Sequence, residues 1–303
     1  MITKECPVPL TVPEKSREIF CQNYAKATHN TGRLFLFAGD QKIEHLNKDF
    51  YGAGIDSEDA NPQHLFEIAS RARIGVFATN LGLVARYASN YRNIRYMIKL
   101  NGKSDLVSIK QAEPRSRCLT TVQQVVDFKR NTGLDIVGIG ITVYLGSEYE
   151  SEMLVAAANA IIEAHQHGLI TTVWMYPRGK SVIAEKNAEI IAGAAGVAVC
   201  LGADFVKVNP PEASDSAESA RLLVQATQAA GNTKVICSGG GKKQETDLLK
   251  EVFEQISIGG AQGAAIGRNI HQKNLHDAIK LCNALAAIII DSVDVITASK
   301  ILQ

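Results

Sequence analysis

Eight short apolar runs recur along the chain from about residue 30, and each is followed by a longer stretch whose apolar positions have helical spacing. The runs are "LFLFAGD" (34–40), "IGVFATN" (74–80), "IRYMIKLNG" (94–102), "LDIVGIGITVY" (134–144), "LITTVWMYP" (169–177), "ADFVKVNPP" (203–211), "TKVICSGGG" (233–241) and "AQGAAIGRN" (261–269). Strands alternating with helices predict βα units and a parallel sheet. Asn61 and Pro62 predict an N-cap and first helical residue, Thr120 or Thr121 caps a helix running to Gly133, and Gly168 and Gly231 close later helices. Over 181–201, Val182, Ile190, Ile191, Ala194, Val197, Ala198 and Leu201 form one apolar stripe. With no composition break between the units, the expectation is an α/β fold of one domain over 1–303, a single closed (β/α)8 TIM barrel. Residues 1–30 form an N-terminal extension and 291–303 a C-terminal tail. An open doubly wound sheet fits less well, since no Gly-x-Gly-x-x-Gly follows the first strand. Segments 41–60 and 102–119 fall on the catalytic face, where they shape or cover a site.

Period-two alternation turns Phe205, Lys207 and Asn209 to one side of the sixth run, and Val206 and Val208 to the other. Helices cover the outside of such a sheet, so the lysine faces inward. On the fifth run Thr172, Trp174 and Tyr176 share that inner face, and on the first run Leu36, Ala38 and Asp40 do. Lys207 is then either a rim lysine paired with a carboxylate such as Asp40, or a desolvated amine with the lowered pKa that a Schiff-base nucleophile needs. Tyr176 beside it is suited to proton donation. Trp174 fills the barrel next to the amine, and Lys99 is either a second substrate-facing cation or a rim lysine. The glycines of "CSGGGKK" (237–243) and "IGRNIH" (266–271), with Arg268 and Lys242 or Lys243, suit a phosphate after strands seven and eight.

Composition narrows the ligand. Of 303 residues 46% are hydrophobic and the net charge is +1, with both signs mixed along the chain. That excludes a basic nucleic-acid footprint and favours a small molecule. Six scattered cysteines without a Cys-x-x-Cys pair fit free thiols in a reducing cytoplasm. His165 and His167 read as solvated surface, so no metal site is expected. No apolar run suits a signal peptide or a membrane span. The expectation is a soluble, cytoplasmic protein.

Taken together, "WMYPRG" (174–179), "GADFVKV" (202–208), "CSGGGKK" (237–243) and "GAAIGRNIHQ" (263–272) resemble the archaeal-type class I fructose-bisphosphate aldolases, which also occur in bacteria. The resemblance covers roughly 33–290. It implies a metal-independent and cofactor-free barrel with Lys207 as Schiff-base lysine, Tyr176 as acid/base and Asp40 as the strand-one aspartate. Ser238, Gly239, Gly240, Gly267 and Arg268 are then the phosphate-binding elements. It also implies a phosphorylated sugar as substrate and a homo-oligomer, often decameric. The family commonly shows Asp-His-Gly-x-Glu-His-Gly after strand one, where this chain has Asp40, Gln41, Lys42, Ile43, Glu44, His45 and Leu46. Gly241 stands where a proline is usual, and Asn209-Pro210-Pro211 departs from the common pattern. The expected activity is carbon–carbon cleavage of a phosphorylated ketose, foremost fructose 1,6-bisphosphate to dihydroxyacetone phosphate and glyceraldehyde 3-phosphate. The alternatives are aldol transfer or thiolase chemistry on another phosphorylated ketone, and a silent phosphate-binding barrel.

Overall fold

The computed structural model describes residues 6–108 and 111–303; residues 1–5 of the N-terminal extension and 109–110 of the 102–119 segment lie outside them. Eight parallel strands close into a ring: β1 (Leu34–Ala38), β2 (Val76–Asn80), β3 (Tyr96–Lys99), β4 (Ile136–Leu145), β5 (Ile170–Pro177), β6 (Phe205–Val208), β7 (Lys234–Ser238) and β8 (Gly263–Ile266). Each strand pairs with its neighbours in sequence, and β1 closes the ring on β8, with Leu34 opposite Gly263. Seven of the eight expected runs contain one of these strands, and β4 extends one residue past the remaining run, 134–144. The expected (β/α)8 barrel is the observed fold.

Inner and outer faces separate as the alternation requires. Leu36, Ala38, Ala78, Met97, Trp174, Phe205 and Ile236 pack together inside the ring. Phe35, Phe37, Val173, Met175, Val206 and Val208 pack outward beneath the helices. Helix boundaries also follow local chemistry. Thr121 and Gln124 form a reciprocal capping box on helix Val122–Thr132, and Gly133 ends it with φ +67°. The Asn61 side chain accepts from Gln63 N–H at the head of Gln63–Arg71. The stripe expected over 181–201 is shorter, because Asn187 caps a helix that begins only at Ala188 and ends at Cys200. Val182 therefore sits in the preceding loop against Gly146, and Ile190 is 40% exposed.

The N-terminal extension is a stopper for the barrel floor. Helix Glu14–Thr28 places Phe20 and Tyr24 in the interior cluster, with Tyr24 stacked on Phe205 at 5.7 Å between centroids. Thr11 reaches His165 Nδ1 at 2.6 Å, while His165 Nε2 faces Asp204 Oδ2 at 3.1 Å. His165 is thus fully buried rather than solvated, because the 6–13 segment covers it and Asp204 supplies a buried acceptor. Cys6 and Cys21 form a disulfide, which corrects the expectation of six free thiols. The extension folding back on its own helix brings them together, a contact that no local spacing signals. At the other end, the tail helix Val295–Ser299 packs on Leu275–Ile289 with Ala298 buried. No helix among the described residues is long and apolar enough to cross a membrane.

Under denaturing, non-reducing conditions a thiol reagent should count four thiols, those of Cys118, Cys200, Cys237 and Cys282. Cys6 and Cys21 are 15 residues apart in sequence, and a bridge closing a loop of that size contributes about 3 kcal/mol on the chain-entropy view. Reductant should therefore lower the melting temperature by several degrees; a count of six thiols, or no thermal response, would contradict the bridge.

Candidate active site

The inward side chains at the C-terminal strand ends converge on one polar cavity. Asp40 lies two residues past β1, Trp174 and Tyr176 end β5, and Lys207 stands on β6 in register with Trp174. Tyr144 ends β4 directly beside Tyr176. The indole of Trp174 crosses the barrel interior because Gly140 leaves room: a Cβ there would sit 2.3 Å from the ring. Two ammonium groups rest over that indole, Lys99 Nζ at 5.0 Å and Lys207 Nζ at 5.3 Å from its centroid.

The two lysines differ in their partners. Lys99 Nζ lies 3.3 Å from Asp40 Oδ2 and 3.5 Å from Glu44 Oε1. It sits below the cavity lining between those carboxylates, and so is neither a rim lysine nor a wall of the cavity. Lys207 has no ion-pair partner among the described residues. Burial lowers its pKa to about 8, with Asp40 opposing the fall and Lys99 reinforcing it. Lys99 is raised instead: burial opposes its charge, but Glu44 and Asp40 outweigh it. For Asp40 burial favours the protonated acid, yet Lys99 and Lys207 hold the carboxyl below the usual range. Its Oδ1 is buried without a hydrogen-bond partner among the described residues. Tyr176 is pushed well above the ordinary phenol range by burial and by the Asp40 charge. The rim-lysine reading paired Lys207 with Asp40; here Lys99 holds Asp40.

Across the mouth, the ends of β7 and β8 form a backbone cradle. Ser238 Oγ donates to Asn209 Oδ1 at 2.7 Å, so the residue after β6 fixes the serine that ends β7. Asn269 Nδ2 donates to the carbonyls of Gly239 and Gly241, and Arg268 Nη2 to that of Gly240 at 3.2 Å. Gly267 is required here, since a Cβ would meet Gln41 Nε2 at 2.2 Å and Ala38 O at 2.8 Å. Ser238, Gly239, Gly240, Gly267 and Arg268 all line the cavity. Lys242 and Lys243 do not: the first donates to Gly54 O and the second pairs with Glu251. Pro211 O accepts from Ser219 Oγ, tying the Asn209-Pro210-Pro211 turn to the next helix.

The loop after β1 enters the site as well. Gln41, Glu44 and His45 line the cavity. His45 Nδ1 lies 2.6 Å from Asp49 Oδ2, and the same oxygen is 3.6 Å from Arg268 Nη1. Leu46 takes φ +56° and ψ −160°, a conformation that favours glycine, at the position where the resembling family has one. The loop is bolted down by a fully buried pair, His271 Nδ1 to Asp59 Oδ2 at 2.7 Å, with Phe50 stacked on the imidazole. Arg178 lines the opposite rim, 5.4 Å from the Tyr176 ring centre, and pairs with Glu185.

Nine of the twelve residues singled out in the sequence line this cavity, Lys99 supports it from beneath, and Lys242 and Lys243 lie outside it. Glu44, His45, Tyr144, Arg178 and Asn269 were missed, while Asn209 was turned inward by parity without a role. Tyr144 carried a usable signal, since the parity that finds Tyr176 also turns the last residue of the fourth run inward. The others lie in loops or short turns where alternation gives no direction.

The Lys207 amine has a stability signature. Its ordinary value is 10.5, and the fold lowers it to about 8. Between those limits the unfolded chain binds more protons than the folded one, so stability rises with pH across that window and the burden is full below it. Lys207→Met should therefore melt higher than the parent at pH 7, with the gap narrowing from about pH 8 upward; a gap constant with pH would contradict the lowered value.

Comparison with known proteins agrees with the geometry. Residues 34–273 match the DeoC/LacD family aldolase model. The chain is 53% identical over 298 residues to the fructose-bisphosphate aldolase/6-deoxy-5-ketofructose 1-phosphate synthase of Methanocaldococcus jannaschii, covering 98% of this chain and 94% of the relative. A fructose-bisphosphate aldolase structure from Slackia heliotrinireducens superposes with a TM-score of 0.96 at 49% identity, covering 98% of this chain and 94% of that one. An archaeal fructose-1,6-bisphosphate aldolase, whose catalytic lysine carries the carbinolamine intermediate of its substrate, superposes at 0.75 with 30% identity, covering 90% and 99%. The chain belongs to the DeoC/LacD aldolase family, among its archaeal-type class I fructose-bisphosphate aldolases.

Proposed function

We propose that this protein cleaves and forms fructose 1,6-bisphosphate through an imine on Lys207. The observation that carries this reading is the buried Lys207 amine, without an ion-pair partner among the described residues, in the same cavity as Tyr176 and Asp40 at the top of the barrel. With its pKa near 8, a substantial fraction of the amine is neutral near physiological pH and can attack the ketone carbon. Nitrogen–carbon bond formation gives a carbinolamine, and loss of its hydroxyl as water gives the protonated imine. Asp40, ionised and with Oδ1 free, orients a substrate hydroxyl and moves protons during that dehydration.

Cleavage sends the C3–C4 electron pair into the imine, leaving an enamine and releasing the aldehyde. Tyr176 keeps its proton at neutral pH and delivers it to the enamine carbon. The carbonyls of Gly239, Gly240 and Gly241 are engaged by Asn269 and Arg268 and the Gly239 N–H by Ala265 O, which leaves the N–H groups of Gly240 and Gly241 for an anion. Ser238, Gly239, Gly240, Gly267 and Arg268 together hold the phosphate of the ketone half. That remote binding energy keeps the ketone carbon near Lys207. Trp174 supplies the apolar floor, and Lys99 keeps Asp40 ionised rather than touching the phosphate itself.

A second reading draws on the Methanocaldococcus relative, which carries a synthase activity beside the aldolase one. The same enamine can add to a different carbonyl acceptor, giving a new phosphorylated ketose by aldol transfer. Offering fructose 1,6-bisphosphate with a small non-phosphorylated carbonyl compound, and looking for a mixed product, distinguishes the two.

Borohydride added with dihydroxyacetone phosphate should fix a three-carbon phosphate adduct on Lys207, read by peptide mass spectrometry. An unmodified Lys207 under those conditions, or cleavage abolished by EDTA, would rule out the metal-free imine route. Arg268→Met should raise KM for the bisphosphate by about 10- to 100-fold, the range of one lost charge-assisted contact of roughly 1.5 to 3 kcal/mol, with kcat less affected. An unchanged KM would remove Arg268 from the phosphate site.

A further inference from the structure

The long segment after β3 reaches over the ends of the two strands that carry the cavity tyrosines. It is pinched at its base, where Asn101 and Gly102 pair antiparallel with Cys118 and Arg117, so it leaves and returns at one point. Glu113 stands on the returning limb. Its Oε1 accepts the N–H of Glu148 at 3.2 Å, in the turn after β4, and its Oε2 accepts the N–H of Lys180 at 3.2 Å, in the turn after β5. One carboxylate thus joins two consecutive turns of the barrel mouth.

The chemistry of the junction calls for this residue type. β4 and β5 run parallel, with Tyr144 opposite Tyr176 and Leu145 opposite Pro177. Pro177 has no N–H to give, and Arg178 N–H closes the pairing on Leu145 O at 2.7 Å. Past that point the chains present the Glu148 and Lys180 N–H groups, and two donors cannot satisfy each other. A carboxylate has an acceptor oxygen for each, whereas a carboxamide has one oxygen and would set its NH2 against the other donor. The turns also abut, since a Cβ on Gly179 would meet Gly146 O at 2.1 Å and Glu113 Oε1 at 2.8 Å. Ser147 Oγ donates to Pro114 O at 2.6 Å, which seats Glu113 over the junction.

We propose that Glu113 is a positioning residue, which holds Tyr176 and Arg178 at the cavity by bridging the turns after β4 and β5. Glu113 does not line the cavity itself, whereas Tyr144, Tyr176 and Arg178 do, so it acts through them. Lys207 is placed differently: it stands on β6 within the strand ladder, in register with Trp174, and needs neither turn. Losing the bridge therefore moves the phenol relative to a fixed amine. Misplacing a reacting group by about 1 Å is enough to cost about a hundredfold in rate. The inference rests on the imine reading above, with Tyr176 as the group that delivers the proton to the enamine.

Proton delivery can be measured apart from imine formation. Glu113→Ala, Glu113→Gln and the parent are compared in borohydride trapping of dihydroxyacetone phosphate on Lys207, in solvent deuterium exchange into dihydroxyacetone phosphate, and in cleavage of fructose 1,6-bisphosphate. Trapping needs the amine but no proton from Tyr176, and at saturating ligand should stay within about twofold in both variants. Exchange and cleavage should fall by about tenfold or more in Glu113→Ala, and by less in Glu113→Gln, which keeps one acceptor. Arg115 docks the same segment, pairing with Glu152 at 2.6 Å and lying 4.4 Å from the Tyr149 ring centre, yet offers no acceptor to either turn. Arg115→Ala should therefore leave exchange and cleavage within about twofold. Exchange within about twofold of the parent in Glu113→Ala would overturn the proposal. So would an equal fall in trapping and exchange, or the same loss in Arg115→Ala, either of which marks a general loosening of the segment. Absence of trapping in the parent would overturn the imine reading, and this inference with it.

Discussion

Two ammonium groups share one indole at the top of the barrel, and the carboxylates beneath them are divided unequally. Lys99 takes both Asp40 and Glu44, and Lys207 takes neither. Burying an unpaired cation is expensive, and the neutral amine relieves that expense. The lowered pKa of Lys207 thus follows first from its burial, with the Lys99 charge adding to the fall and Asp40 opposing it. Were the pairing exchanged, Lys207 would be held as a charged ion pair and Lys99 would carry the lowered pKa. The smallness of Gly140 underlies this arrangement, since it lets Trp174 reach far enough to lie under both lysines.

The second organising element is the strap after β1. It contributes Gln41, Glu44 and His45 to the cavity, and reaches the backbone cradle of β7 and β8 through Asp49 and the His271–Asp59 pair. Gln41 packs on Gly267, so the strap and the cradle are shaped against each other. Leu46 accepts a backbone conformation better suited to glycine, a local strain of about 1–3 kcal/mol that the surrounding contacts must offset.

Much of this was legible in the sequence because barrel strands obey alternation. Parity alone turned Asp40, Trp174, Tyr176 and Lys207 inward, and all four line the cavity at the strand ends. Glycine punctuation located the cradle but could not identify Ser238, whose partner Asn209 comes from another strand. The helix start near 181 was misread because apolar spacing continued through a loop that Asn187 terminates. His165 and the Cys6–Cys21 bridge were invisible for a related reason. Both depend on where the extension folds back, a long-range contact with no local period.

The stopper at the barrel floor has a kinetic consequence. Tyr24 stacked on Phe205 fills the barrel interior on the floor side of Lys207, and among the described residues the amine opens to the polar cavity at the strand ends. On the proposed imine route, a substrate split there leaves its deeper half covalently held and its outer half nearer solvent. Release is therefore ordered by depth: the aldehyde departs first, and only then can water reach the enclosed imine to free the ketone.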